Sequence, residues 1–84
     1  MEIKNIERRR RRFQKLRTRS YEYGYTQEDL ADIRGKSRTY IARRFAGIEP
    51  WSTEDMKVLG PMLNIPFDDW LYYFVDEDII SQIT

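Results

Sequence analysis

Five cationic side chains, Arg34, Lys36, Arg38, Arg43 and Arg44, crowd a span in which only Ile41 and Phe45 are strongly apolar. A helix made from this stretch, GKSRTYIARRF, has too few apolar residues to lie inside a core. Its charge is aimed outward. Arginine pairs in bidentate fashion with guanine O6 and N7, and Lys or Arg pairs with phosphate oxygens. The chemistry on offer is recognition of a polyanion rather than bond-making.

The rest of the composition closes off other chemistries. The chain has no Cys and no His, which removes disulfides, thiolate zinc sites, cysteine nucleophiles and imidazole acid–base catalysis. Its 84 residues make one small domain, too short to enclose a cofactor. Carboxylates are plentiful, but they stand at helix starts or in the acidic stretch 76–78, where capping and solubility account for them. No enzyme, cofactor or metal is expected. With 40% hydrophobic and 14% aromatic residues, the chain can build a packed core. No apolar run approaches the ~20 residues of a membrane span, and the arginine-rich start lacks the apolar segment of a signal peptide. The expectation is a soluble cytoplasmic domain with no membrane partner.

A net charge of +1 hides a strong asymmetry. Residues 1–47 carry 14 basic and 6 acidic side chains, and residues 48–84 carry one basic side chain, Lys57, against 8 acidic ones. Such a division points to a polyanion-binding half.

The elements that must position these cations read as helices throughout. In NIERRRRRFQKLRTRSYEY, the residues Ile6, Phe13, Leu16, Ser20 and Tyr23 fall on one helical stripe, and Gly24 fits a C-terminal cap. Thr26 caps the next helix with Asp29 at the capping-box position, Leu30, Ala31 and Ile33 face inward, and Gly35 stops it. Ser37 caps RTYIARRFA, which Gly47 ends. Two short helices joined around a glycine make a helix-turn-helix unit at about residues 26–47. Ser52 and Asp55 open a fourth helix whose inward stripe is Met56, Leu59, Met62 and Leu63. Pro61 predicts a kink or a tightened last turn, and Asn64 fits a left-handed cap. Pro66 opens a last helix, FDDWLYYFVDED. The segment IISQIT reads equally as a tail, a short strand or a dimer contact. The division is a basic arm or helix extension over 1–12, a domain over 13–75 and a tail over 76–84.

The stretch TQEDLADIRGKSRTYIARRFAG, followed by PWSTEDMKVLGPMLNIPFDDWLYYF, resembles the Cro and lambda-repressor type of helix-turn-helix domain, in its short phage-encoded form. The matching positions are Gln27, Leu30 and Ala31, Gly35, Ile41, Phe45, and Leu63–Asn64–Ile65. The resemblance implies an all-α, five-helix lambda-repressor-like domain that binds duplex DNA. Arg34, Lys36 and Arg44 depart from it, standing where many relatives are apolar. Phe45 can fill the core in place of Arg44. Arg34 and Lys36 imply a thinner contact between the second and third helices, or long side chains lying over it.

In such a unit the third helix enters the major groove and reads bases mainly with its N-terminal residues. At 100° per residue, Thr39 and Arg43 point away from Ile41 and Phe45, and Arg38 lies in the first turn. Arg38, Thr39 and Arg43 are the expected base readers. Gln27 resembles the family glutamine that bonds a phosphate from the start of the second helix. Lys36 and Arg44 are expected on the DNA backbone. Tyr40 either joins them or packs as an aromatic at the helix flank. The run containing Arg8, Arg9 and Arg12 tracks phosphates or enters the minor groove as an arm, or extends the first helix.

The aromatic residues Trp70, Tyr73 and Phe74 share a stripe at i, i+3 and i+4, read as an exposed ridge, extended by Ile79 and Ile80. In the family the last helix often forms a twofold dimer, so the implied assembly is a homodimer on a palindromic operator. The functional expectation is a Cro-like transcriptional regulator, a repressor of phage or prophage type. The alternative is a protein-interaction module on the same fold: an antitoxin, an anti-repressor or a phage-encoded inhibitor that also autoregulates.

Overall fold

A computed structural model of the chain describes residues 12–76 and 79. Among the described residues, five α-helices form the domain: α1 (Gln14–Glu22), α2 (Gln27–Arg34), α3 (Arg38–Phe45), α4 (Thr53–Met62) and α5 (Trp70–Phe74). A 3-10 turn, Phe67–Asp69, leads into α5, and no strand occurs among the described residues. The fold class is all-α.

The starts of the three central helices follow local hydrogen-bonding rules. Thr26 and Asp29 form a reciprocal capping box on α2, and Ser52 and Asp55 do the same on α4. Ser37 Oγ accepts from the Tyr40 amide at the start of α3. Each box satisfies two amides that the first turn would otherwise leave unbonded.

Helices α1 to α4 all stop by one device. An amide bonds back five residues: Tyr25 to Ser20, Lys36 to Ala31, Ile48 to Arg43 and Ile65 to Gly60. The residue before that amide is left-handed in every case, at Gly24, Gly35, Gly47 and Asn64. Glycine or asparagine is what this closure needs. At all four ends the left-handed residue's own amide bonds the carbonyl three residues back, so the bond from Asn64 to Pro61 is part of this closure and not a tightening peculiar to Pro61.

Helix α2 packs against both α3 and α4, while α5 packs against α1 and α4. Between them lies a core of Phe13, Leu16, Leu30, Ala31, Ile41, Phe45, Trp51, Leu59, Leu63, Ile65 and Phe74. Trp51 is its hub, edge-on to Phe13, Phe45 and Phe74 with centroids 6.2, 5.0 and 5.8 Å away.

Several expectations about the elements need correction. The first helix does not run through Phe13, which is left-handed at φ 57° just before α1. That conformation costs a non-glycine residue about 1–2 kcal/mol, offset because the kink turns the ring into the core against Trp51. Tyr23 leaves the inward stripe and is exposed at the end of α1, while Ile6 lies outside the described residues. Met62 is exposed, because Leu63 and Ile65, on either side of left-handed Asn64, take the inward positions.

The last correction concerns the aromatic ridge. Phe74 is core, and Trp70 and Tyr73 pack half-buried against it. Trp70 donates its indole N–H to the Ile65 carbonyl at 3.2 Å. It also lies so close to Gly60 that a Cβ there would sit 2.8 Å from its Nε1. The Tyr73 hydroxyl accepts from Arg19 at 2.8 Å. The stripe therefore fastens α5 to α1 and α4. Among the described residues, the exposed apolar side chains of this end include Phe67, Leu71, Tyr72 and Ile79. The last helix is also shorter than expected, ending at Phe74 with Val75 extended.

Candidate nucleic-acid interface

Asp55 organises the basic half of the molecule. It is fully buried at the third residue of α4, and its carboxylate collects donors from three elements. Oδ1 accepts from Arg34 Nε at 2.6 Å and from the Tyr40 hydroxyl at 2.8 Å. Oδ2 accepts from the Ser52 amide at 2.9 Å and, more weakly, from Arg44 Nε at 3.4 Å. Burial alone would push this carboxyl up. The bonds from the Ser52 amide, Arg34 and Tyr40 outweigh it and hold Asp55 below the ordinary carboxylate value. Arg34 is raised by its bond to Asp55, against the effect of its own burial.

This cluster joins the end of α2, one flank of α3 and the start of α4. Arg44 lies flat on Tyr40, its guanidinium carbon 3.5 Å from the ring centroid, and its Nη1 donates to Glu49 Oε1 at 2.6 Å. The Arg34 and Arg44 side chains are each only 14% exposed. The long, unexpectedly polar side chains at apolar positions thus share a buried anion.

Two residues expected on the DNA backbone, Tyr40 and Arg44, have internal partners. Tyr40 and Arg44 direct their polar atoms at Asp55 and Glu49, because a buried carboxylate must be matched by donors. Arg12 forms an ion pair with Asp76. Arg8 and Arg9 lie outside the described residues, as does Ile80. In α1, Arg17 donates to the Phe45 carbonyl at 3.1 Å, and Arg19 donates to the Leu63 and Asn64 carbonyls at 2.8 and 2.9 Å. These cations sit at the negative ends of α3 and α4, where the helix dipole favours them.

What remains outward is compact. Arg38, Thr39, Ala42 and Arg43 are exposed on α3, directly preceded by exposed Lys36 and Ser37. Lys36 Nζ lies 5.2 Å from the Tyr40 ring centroid. Gln27, at the start of α2, is partly exposed and shares an open cleft of about 420 Å³ with Thr26, Glu28 and Arg38. The structure thus brings Gln27 and Arg38 together across the two helix starts, with Glu28 as an acidic neighbour. Arg43 keeps a looser contact with Glu49, Nη2 to Oε2 at 3.5 Å.

Sequence reasoning took Asp55 for a capping residue alone and assigned no role to Glu49, Arg17 or Arg19. A signal for the Asp55 cluster existed. Arg34 and Arg44, at inward-facing positions, demanded a nearby anion. Among the described residues, no group of His, Cys, Asp or Glu is placed to hold a metal ion, and no helix is long and apolar enough to cross a membrane.

No protein-family model matches the chain, and neither a curated protein nor a solved structure does.

Proposed function

We propose that this domain is a sequence-specific duplex DNA-binding regulator that reads the major groove with α3. Arg38, Thr39 and Arg43 are its base readers, and Gln27 and Lys36 hold flanking phosphates. One observation carries the reading. α3 uses Ile41 and Phe45 for the core, and Tyr40 and Arg44 for the Asp55 cluster. Its entire remaining face is exposed, small or cationic, and free of bulky apolar groups. Such a face suits insertion into a groove lined with acceptors. The resemblance to Cro-type domains agrees with it, and suggests a repressor of phage type acting on a palindromic site.

One short helix reads only a few base pairs, so an operator requires two copies related by a twofold axis. Phe74 is taken up by the core, and Trp70 and Tyr73 are bonded to Ile65 and Arg19, so we place the contact beside that stripe. Exposed Phe67, Leu71 and Tyr72 offer apolar surface instead.

The deciding experiment is selection of bound duplexes from random DNA, followed by a salt titration. With about four phosphates neutralised per domain, log affinity falls against log salt with a slope of about −3.6. A flat response between about 50 and 200 mM salt rejects the proposal. It would favour the second reading, a protein-interaction module on this fold. That reading draws on the diversion of Arg17, Arg19, Arg34 and Arg44 to internal bonds, together with Phe67, which is 74% exposed.

A further inference from the structure

We propose that Glu49 is a specificity-determining residue: an internal anion, seated by Arg44, that stands where a phosphate would otherwise approach Arg43. The inference rests on the DNA-binding reading of α3. Its basis is how the loop between α3 and α4 is folded back. Left-handed Gly47 turns the chain, and the amides of Ile48 and Glu49 both point at the Arg43 carbonyl, at 3.0 and 3.5 Å. The backbone of Glu49 is thereby held against the end of α3.

Its side chain is divided between two guanidinium groups. Oε1 accepts from Arg44 Nη1 at 2.6 Å, and Oε2 lies 3.5 Å from Arg43 Nη2. Arg44 cannot follow a ligand outward without leaving Asp55 and the Tyr40 ring. Its need for an anion is real, because Arg34 and Arg44 together bring two positive charges to the single buried carboxylate of Asp55. Glu49 supplies the second negative charge. Glu49 is thereby seated from the inner side by Arg44, while its own side chain, 45% exposed, shares the surface with Arg43, 46% exposed.

This arrangement treats the two kinds of DNA acceptor differently. A phosphate oxygen approaching Arg43 brings a full negative charge close to a carboxylate that would have to give up its bond to Arg44 to withdraw. A guanine edge presents neutral N7 and O6 acceptors and meets far less repulsion. Glu49 therefore weakens sequence-independent contacts at Arg43 and leaves base reading nearly untouched.

The test compares wild type with Glu49→Gln on a random-sequence duplex and on the selected duplex, across a salt series. Asp68→Asn serves as the charge control, since it removes the same charge from the 3-10 turn, which packs against α5. Thermal melts establish that both variants are folded. Glu49→Gln should bind the random duplex about two- to fivefold more tightly, the range set by a partly exposed ion pair. Its salt slope there should steepen by up to about 0.9, one phosphate contact. The gain on the selected duplex should be smaller, so the specificity ratio falls. The inference is overturned if Glu49→Gln matches Asp68→Asn, or if it gains equally on both duplexes. If neither wild type nor Glu49→Gln binds any duplex, the DNA reading and this inference fall together. If wild type binds and the variant changes nothing, only the inference falls.

Discussion

Replacing Asp55 with asparagine changes almost no volume, yet it removes the one charge around which α2, α3 and α4 meet. The Asp55 carboxylate is fully buried and accepts three bonds of 2.6 to 2.9 Å, from Arg34, Tyr40 and the Ser52 amide, with Arg44 at 3.4 Å. An asparagine oxygen can keep one or two of these. Its amino group must then face other donors, the largely buried Arg34 loses its counter-ion, and Arg44 keeps only Glu49. Removing one partner of a buried ion pair costs about 3–5 kcal/mol, far more than the pair contributes relative to an apolar replacement. Against the roughly 5–15 kcal/mol available to a domain, that is a large share. With a urea m-value of ~1 kcal/mol/M for a domain this small, the midpoint should fall by roughly 3–5 M. Urea unfolding followed by far-ultraviolet circular dichroism measures it. Arg34→Met in both backgrounds completes a double-mutant cycle, in which Arg34→Met should cost much less once Asp55 is asparagine. A loss below about 1 kcal/mol, the range of exposed ion pairs, together with additive effects, would refute the reasoning.

Acid should act through the same residue. Because folded Asp55 holds its proton less tightly than the unfolded chain does, its contribution is full above the ordinary aspartate value of about 3.9. It drains away as pH falls through and below that range, so wild type should lose more stability between about pH 5 and pH 2 than Asp55→Asn does. Arg38→Ala should cost ~1–3 kcal/mol on the selected site and relax preference at one base pair, whereas Lys36→Ala and Gln27→Ala should weaken every sequence alike; a panel of single-base operator variants separates the two patterns. Tyr72→Glu should reduce two proteins per palindromic duplex to one in sedimentation without lowering the melting temperature, since Tyr72 is 52% exposed. Tyr73→Glu should lower it, because the Tyr73 hydroxyl is bonded to Arg19.

Much of the fold was legible because its signals are local. The capping boxes of Thr26 with Asp29 and of Ser52 with Asp55 span three residues, and the closures at Gly24, Gly35, Gly47 and Asn64 span five. Such bonds depend on residues close in the chain, so type and spacing are enough to place the helices. The inward faces of α2 and α3 followed from the same spacing, with Leu30, Ala31, Ile41 and Phe45 all buried. Where an element is short, the pattern fails. In five-residue α5, alternating aromatic residues leave no polar face to rank against an apolar one, and only packing on α1 and α4 turned Phe74 inward and Tyr72 outward.

The destinations of the cations were beyond the sequence for a different reason. An arginine can lie in solvent, on a partner's phosphate or on a distant carboxylate, and its spacing is identical in all three. Arg34 finds Asp55 from 21 residues away, and Arg44 finds it from 11. Arg19 reaches carbonyls 44 and 45 residues along the chain. The sequence by itself determined where α2, α3 and α4 start and stop and that one half of the chain is basic. Tertiary structure alone decided which of those charges are used inside the protein and which still face outward, because that choice depends on the position of one buried carboxylate.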